Sequence, residues 1–146
     1  LLGSENHRSC VLLIEAFGRR IVMLGDADWL AEAWVTRALR DRGILGQIDM
    51  VVVSHHGASD GSSPSFVKLV GATAALISVG RQNRYGHPHP EVIKRWRASG
   101  AEVYRTDLDG ALQIDLKSGA IQRERQREPR RWTHWINDHQ PNRAFD

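Results

Sequence analysis

The chain has 146 residues, 41% of them hydrophobic and 25% charged, a normal balance for one soluble globular domain with its own core. No apolar stretch approaches the length needed to cross a bilayer, and no signal peptide is visible, since Leu1-Leu2 is followed at once by the polar Gly3-Ser4-Glu5-Asn6. The net charge of +3 is uneven: residues 123–131 carry five Arg and two Glu, residues 1–122 sum to +1 and residues 132–146 to −1.

The first residue is not Met, so the sequence reads as a piece of a longer product. Residues 9–17, "SCVLLIEAF", form an apolar β-branched run and predict a strand. Gly18-Arg19 supplies a turn, and "RIVMLG" its hairpin partner. The single cysteine, Cys10, is expected as a small buried hydrophobe. Asp28 can cap a helix running to about Arg42, with Leu30, Ala31, Trp34, Val35, Ala38 and Leu39 on one half of the wheel and Thr36, Arg37 and Arg40 on the other. "IDMVVVS" is continuous rather than alternating, as a strand buried on both faces should be. Ser63-Pro64 opens a second helix that Gly71 ends, "AALISVG" is the next strand, and Pro90 opens a third helix closed by Gly100. "EVYRT" is a short strand, "DLDG" a turn, and "ALQIDL" with "AIQRE" a terminal hairpin around Lys117-Ser118-Gly119. The order predicts a layered α/β fold. After Glu128-Pro129 the pattern is lost. The tail, residues 123–146, reads as solvated and disordered in preference to a phosphate-binding arm.

Polar residues gather where the apolar strands stop. "IVMLGDAD" ends in Asp26 and Asp28, "MVVVSHHG" in His55 and His56, and "LISVGRQNRYGHPHP" leads to Asn83, His87 and His89. In open α/β sheets ligands bind beyond the carboxyl ends of the strands, so parallel packing would bring these segments to one crevice. Imidazole and carboxylate are zinc ligands, and a metal so held lowers the pKa of bound water to about 7. Adjacent histidines point in different directions, which leaves one for the metal and the other for a substrate oxygen or a supporting contact. Gly57 removes a side chain where another group must come close. Asp28 and His89 are expected to serve their helices, which leaves Asp26 and His87 as the better site candidates. Asp60 and residues 59–63 read first as turn and cap, with Ser62 a candidate for substrate contact.

The stretches "NHRSCVLLIEAFGRRIVMLGDAD", "DMVVVSHHGASDGSSPSFV" and "SVGRQNRYGHPHPEV" resemble the ComEC competence-protein family, and within it the carboxyl-terminal half of the metallo-β-lactamase-like domain, over about residues 4–116. The resemblance implies half of an αββα sandwich over residues 1–122, with a mixed sheet and about three helices. It implies a parent in the bacterial inner membrane that handles single-stranded DNA, with this domain on the periplasmic or extracellular side. The function implied is metal-dependent hydrolysis of DNA phosphodiesters by activated water. Asp26 and His56 would then bind a zinc or manganese ion, with His55 sharing the catalytic work and Asn83, His87 and Ser62 contacting substrate. Asn6 stands where lactamase-like relatives carry a histidine.

The chain lacks the superfamily's His-x-His-x-Asp-His stretch. The fragment alone is therefore expected to be soluble, to bind metal weakly, to cleave poorly, and to expose an apolar sheet surface that favours a homodimer. The alternative reading is a non-catalytic DNA-binding or structural module of a DNA-transport membrane protein.

Overall fold

A computed structural model describes residues 5–124. Most of the basic tail, with Trp132 and Trp135, lies outside the described residues. No helix among them is long and apolar enough to cross a membrane.

Strands β1 (Leu12–Ala16) and β2 (Arg19–Met23) form the expected antiparallel hairpin. Its turn residues Phe17 and Gly18 both take positive φ, 52° and 75°. From β2 the chain alternates through α1 (Trp29–Asp41), β3 (Met50–Val52), α2 (Pro64–Val70), β4 (Ala74–Ile77), α3 (Pro90–Ala98) and β5 (Glu102–Arg105). β2, β3, β4 and β5 are parallel neighbours in that order. The expected caps form: Asp28 accepts from the Ala31 amide, Ser63 from Phe66 and His89 from Glu91. The residues expected as a turn after β5 instead make a one-turn helix, α4 (Thr106–Asp109), closed by Gly110 at a φ of 78°. Strands β6 (Ala111–Ile114) and β7 (Ile121–Glu124) form the terminal hairpin. β7 therefore takes in the first two residues read as tail, and Arg123 pairs with Glu102 and Asp109 and lies over the Tyr104 ring.

Strand alternation divides the core in two. Val22, Val51, Ala75 and Ile77 face the helices, where they meet Leu39, Phe66, Val70, Val92 and Trp96. Phe66 and Trp96 pack edge to face at 6.4 Å, an arrangement worth about 0.5–1.5 kcal/mol beyond the area it buries. Ile21, Met50, Ala74, Leu76 and Tyr104 face the other way, where Leu112, Ile114, Leu116 and Ile121 of the hairpin segment pack against them. On this second face Leu12 and Met23 remain exposed, at 53% and 36%.

Two sequence expectations are corrected. The buried residues of α1 are Ala31, Glu32, Thr36 and Leu39, while Leu30 and Trp34 face solvent. The apolar arc on the wheel is wider than the sheet beneath it, and a carboxylate with loop partners displaces it. Cys10 is exposed rather than buried, because it precedes the edge strand β1.

Asp49 pins the amino ends of three strands. Its carboxylate accepts from the Arg20 amide at 2.8 Å and the Arg19 guanidinium at 2.9 Å. Its carbonyl accepts from the Thr73 and Ala74 amides. Burial opposes the charge, but the Arg20 amide and the two guanidinium groups together hold its pKa below the ordinary 3.8. Asp49→Asn is expected to cost about 1.5–3 kcal/mol at pH 7, the scale of hydrogen bonds to a charged group. Because the folded value is depressed, that difference is full above the ordinary value and fades as pH falls through the folded one. Urea unfolding of both proteins between pH 2 and pH 7 measures it.

Candidate functional site

Parallel pairing brings the ends of β2, β3 and β4 together. The Leu24 amide donates to the Val52 carbonyl and the Val53 amide to Leu76. One step further the His55 amide donates to the Gly25 carbonyl at 2.8 Å, which sets Asp26 beside the histidine turn. Gly25 has a φ of 57°, and a Cβ there would lie 2.6 Å from Ser9 Oγ. That hydroxyl accepts from the Asp26 amide at 2.8 Å. Asp26 itself is exposed, and its carboxylate has no hydrogen bond or ion pair among the described residues.

Ser54–Gly57 makes a tight 3-10 turn in which both histidines adopt left-handed backbone, with φ of 48° and 53°. Such conformations cost roughly 1–2 kcal/mol per residue and persist where the surroundings impose them. The turn sends the two imidazoles to different partners. His55 Nδ1 lies 3.1 Å from Asp60 Oδ1 and 3.3 Å from Asn6 Nδ2. His56 Nδ1 lies 2.7 Å from the Ser78 carbonyl, at the end of β4. A carbonyl only accepts, so His56 Nδ1 carries a proton, and in the neutral ring Nε2 is the nitrogen with the lone pair. The carboxylate of Asp60 selects the same tautomer for His55, in which Nδ1–H cannot accept from Asn6 Nδ2, so the Asn6 approach is a contact and not a second hydrogen bond. Metal-binding histidines are oriented this way, the distal nitrogen free and the other bonded to a carbonyl or carboxylate.

The loop after β4 closes the crevice. Asn83 clamps it through Oδ1 to the His87 amide at 2.9 Å and Nδ2 to the His87 carbonyl at 2.7 Å, so its amide shapes the loop. His87 stands between two rings, with centroids 5.8 Å from His55 and 6.0 Å from Tyr85. Burial, then the neighbouring imidazoles of His55 and His56, hold the His87 pKa below the ordinary histidine value against the pull of Asp60. His87 is therefore neutral at pH 7. The close approach expected at Gly57 is made by Pro88: a Cβ on Gly57 would lie 2.5 Å from the proline Cβ.

Behind the crevice, the segment from Ala58 to Ser63 is tied down from inside. Glu32 is fully buried; its Oε1 accepts from Ser54 Oγ and the Ser62 amide, and its Oε2 from the Ser63 amide. Burial raises its pKa above the ordinary carboxyl value, against the opposing hydrogen bonds of Ser63, Ser62 and Ser54. Ser62, a sequence candidate for substrate contact, is also fully buried, and its hydroxyl accepts from Trp96 Nε1 at 2.9 Å. It stands apart from the open side of the crevice.

The structure thus brings Asp26, His55, His56 and His87 to one end of the sheet, and Asn6 with them. Sequence reading ranked Asp60 as a turn residue and passed over Glu32. The run of small residues at 59–63, Ser-Asp-Gly-Ser-Ser, is the signal for a tightly built loop. Asp26 and His56 are two donors of the kinds zinc uses. Among the described residues no group of three or more His, Cys, Asp or Glu converges to hold an ion, and a tight zinc site takes three or four protein ligands or nearly so. These residues alone do not complete a metal site.

Gly57 and Gly18 both have positive φ, 83° and 75°, but a Cβ on Gly18 meets nothing within 4 Å. Gly18→Ala is expected to cost about 1–2 kcal/mol from the backbone alone. Gly57→Ala should cost more and also displace the loop carrying His87, seen as chemical-shift changes at residues 83–89 that Gly18→Ala does not produce.

No family model and no solved structure matches the chain. Curated proteins do. The chain is 36% identical over 123 residues to Competence protein ComA of Neisseria gonorrhoeae, covering 84% of this chain and 17% of that protein. It is 30% identical over 116 residues to ComE operon protein 3 of Bacillus subtilis, covering 80% of this chain and 14% of that protein. It is 29% identical over 113 residues to Recombination protein 2 of Haemophilus influenzae, covering 77% and 14%. The three are homologues of this chain, which spans about one sixth of their length or less.

Proposed function

We propose that this chain is the carboxyl-terminal part of a DNA-phosphodiester hydrolase domain in a competence protein. The reading takes the fold as the late half of a metallo-β-lactamase-like sandwich whose second face, with Leu12 and Met23 exposed, receives further chain of the longer protein. The observation that carries it is the pair of imidazoles at the ends of β3: each has Nδ1 engaged, by Asp60 or the Ser78 carbonyl, and Nε2 left to face a ligand. Asp26 follows Gly25, whose carbonyl takes the His55 amide. The name Competence protein ComA supports a role in DNA uptake, and the name Recombination protein 2 fits the handling of DNA.

In this reading Asp26 and His56 contribute to a divalent-ion site, zinc or manganese, that residues outside the described ones complete. Such an ion supplies a polarised water and a clamp on phosphate oxygens. His55 and neutral His87 orient the substrate, and Asn83 holds the loop that carries His87.

The test compares the 146-residue chain with the longer protein on single-stranded DNA, with zinc or manganese added. Cleavage is expected from the longer protein, near background from the chain alone, and abolished by Asp26→Ala. Asp60→Asn, which keeps the fold but loses the carboxylate behind His55, should lower cleavage about 10–100-fold. Binding without cleavage in either form, weakening steeply with salt, would instead favour a DNA-binding module, and full activity in Asp26→Ala would reject the metal reading.

A further inference from the structure

We propose that Glu32 is the positioning residue for the His55–Asp60 pair. The crevice and this carboxylate lie on opposite sides of the same ten-residue stretch, residues 54–63. Glu32 grips that stretch at both ends: Ser54, directly before His55, through its hydroxyl, and Ser62 and Ser63, just after Asp60, through their amides. Every contact is a donor, so the pocket is built for the carboxylate form and for an acceptor on both oxygens. The remaining ties point the same way. The Trp29 amide takes the Asp60 carbonyl at 3.0 Å, Trp29 Nε1 takes Gly61 at 3.1 Å, and Arg95 reaches the Ser62 carbonyl. Gly61 admits the Ser54 side chain, since a Cβ there would lie 2.3 Å from Ser54 Oγ. Ser62 holds a φ of 55°. A left-handed serine in a loop with a buried charge behind it is strained backbone that the carboxylate keeps in place. The two ends are fixed from the core, and the stretch between them turns His55 and Asp60 to face each other at 3.1 Å.

Glu32→Gln keeps the shape but turns an amide N–H₂ toward a backbone N–H, which breaks one end of the grip. The readout is the imidazole ¹⁵N resonances of His55, which report whether Nδ1–H meets a carboxylate. Asp60→Asn gives the reference spectrum for a lost pair. Glu32→Gln is expected to move the His55 resonances to the Asp60→Asn positions. The double variant should add nothing further, and His89, whose ring caps α3, should stay unchanged. Glu32→Gln with altered Ser62 and Ser63 amide signals but wild-type His55 resonances would overturn the proposal and leave Glu32 a plain fold staple. Should that variant not fold, Ser54→Ala carries the test by deleting one hydroxyl contact: a partial shift of the His55 resonances is expected, and no shift overturns it. That the pair matters for cleavage rests on the function proposed above. In the longer protein Glu32→Gln should match the 10–100-fold loss of Asp60→Asn. A longer protein with no activity at all would refute that function and leave the resonance result standing.

Discussion

The hydrogen bond from the His55 amide to the Gly25 carbonyl decides where the chemistry of this molecule sits. It continues the parallel ladder of β2 and β3 one rung past the sheet, and it forces the histidine turn to open beside Asp26. The rung below, Val53 to Leu76, does the same for β4, so that Ser78 lies within reach of His56. Once these rungs form, side chains as far apart in sequence as Asp26 and His87 share one edge. At the opposite edge Asp49 pins the strands together, and the frame is closed at both ends.

The strands, helices and caps were legible because their causes are local. A serine before a proline, an aspartate three residues before a free amide and a glycine after the last apolar residue act within one turn. The strand-end cluster was legible because parallel sheets send loops to a shared edge. What stayed hidden has distant causes. Glu32 reads as an ordinary surface glutamate until its partners, 22 to 31 residues away, are brought beneath it. Asp60 reads as a turn residue until the left-handed His55 faces it. Trp34 and Leu30 look like core on a helical wheel, since the wheel shows where apolar residues are and not how wide the surface below is.

Rigidity and strain are distributed unevenly around the crevice. Its two histidines and Ser62 hold left-handed backbone; His56 and Ser62 each lie next to a glycine through which a neighbour approaches, Pro88 at Gly57 and Ser54 at Gly61, and Ser9 approaches Gly25, whose carbonyl takes the His55 amide. The glycines let the packing come close, and the packing holds the strained residues in place. The energy for this comes from the helical side of the sheet, where Trp96 both fills the core and donates to Ser62. Loop shape and core packing are in this way one interaction.

The strand order of the main sheet matches the order of the chain, each strand lying beside the one before it. No strand has to be threaded between two others already in place. Within residues 5–124 the β1–β2 hairpin can serve as a template, and each strand–helix unit that follows it adds to a growing edge. The crevice, shared by β2, β3, β4 and the loop that follows, would be assembled before the closing hairpin has been made.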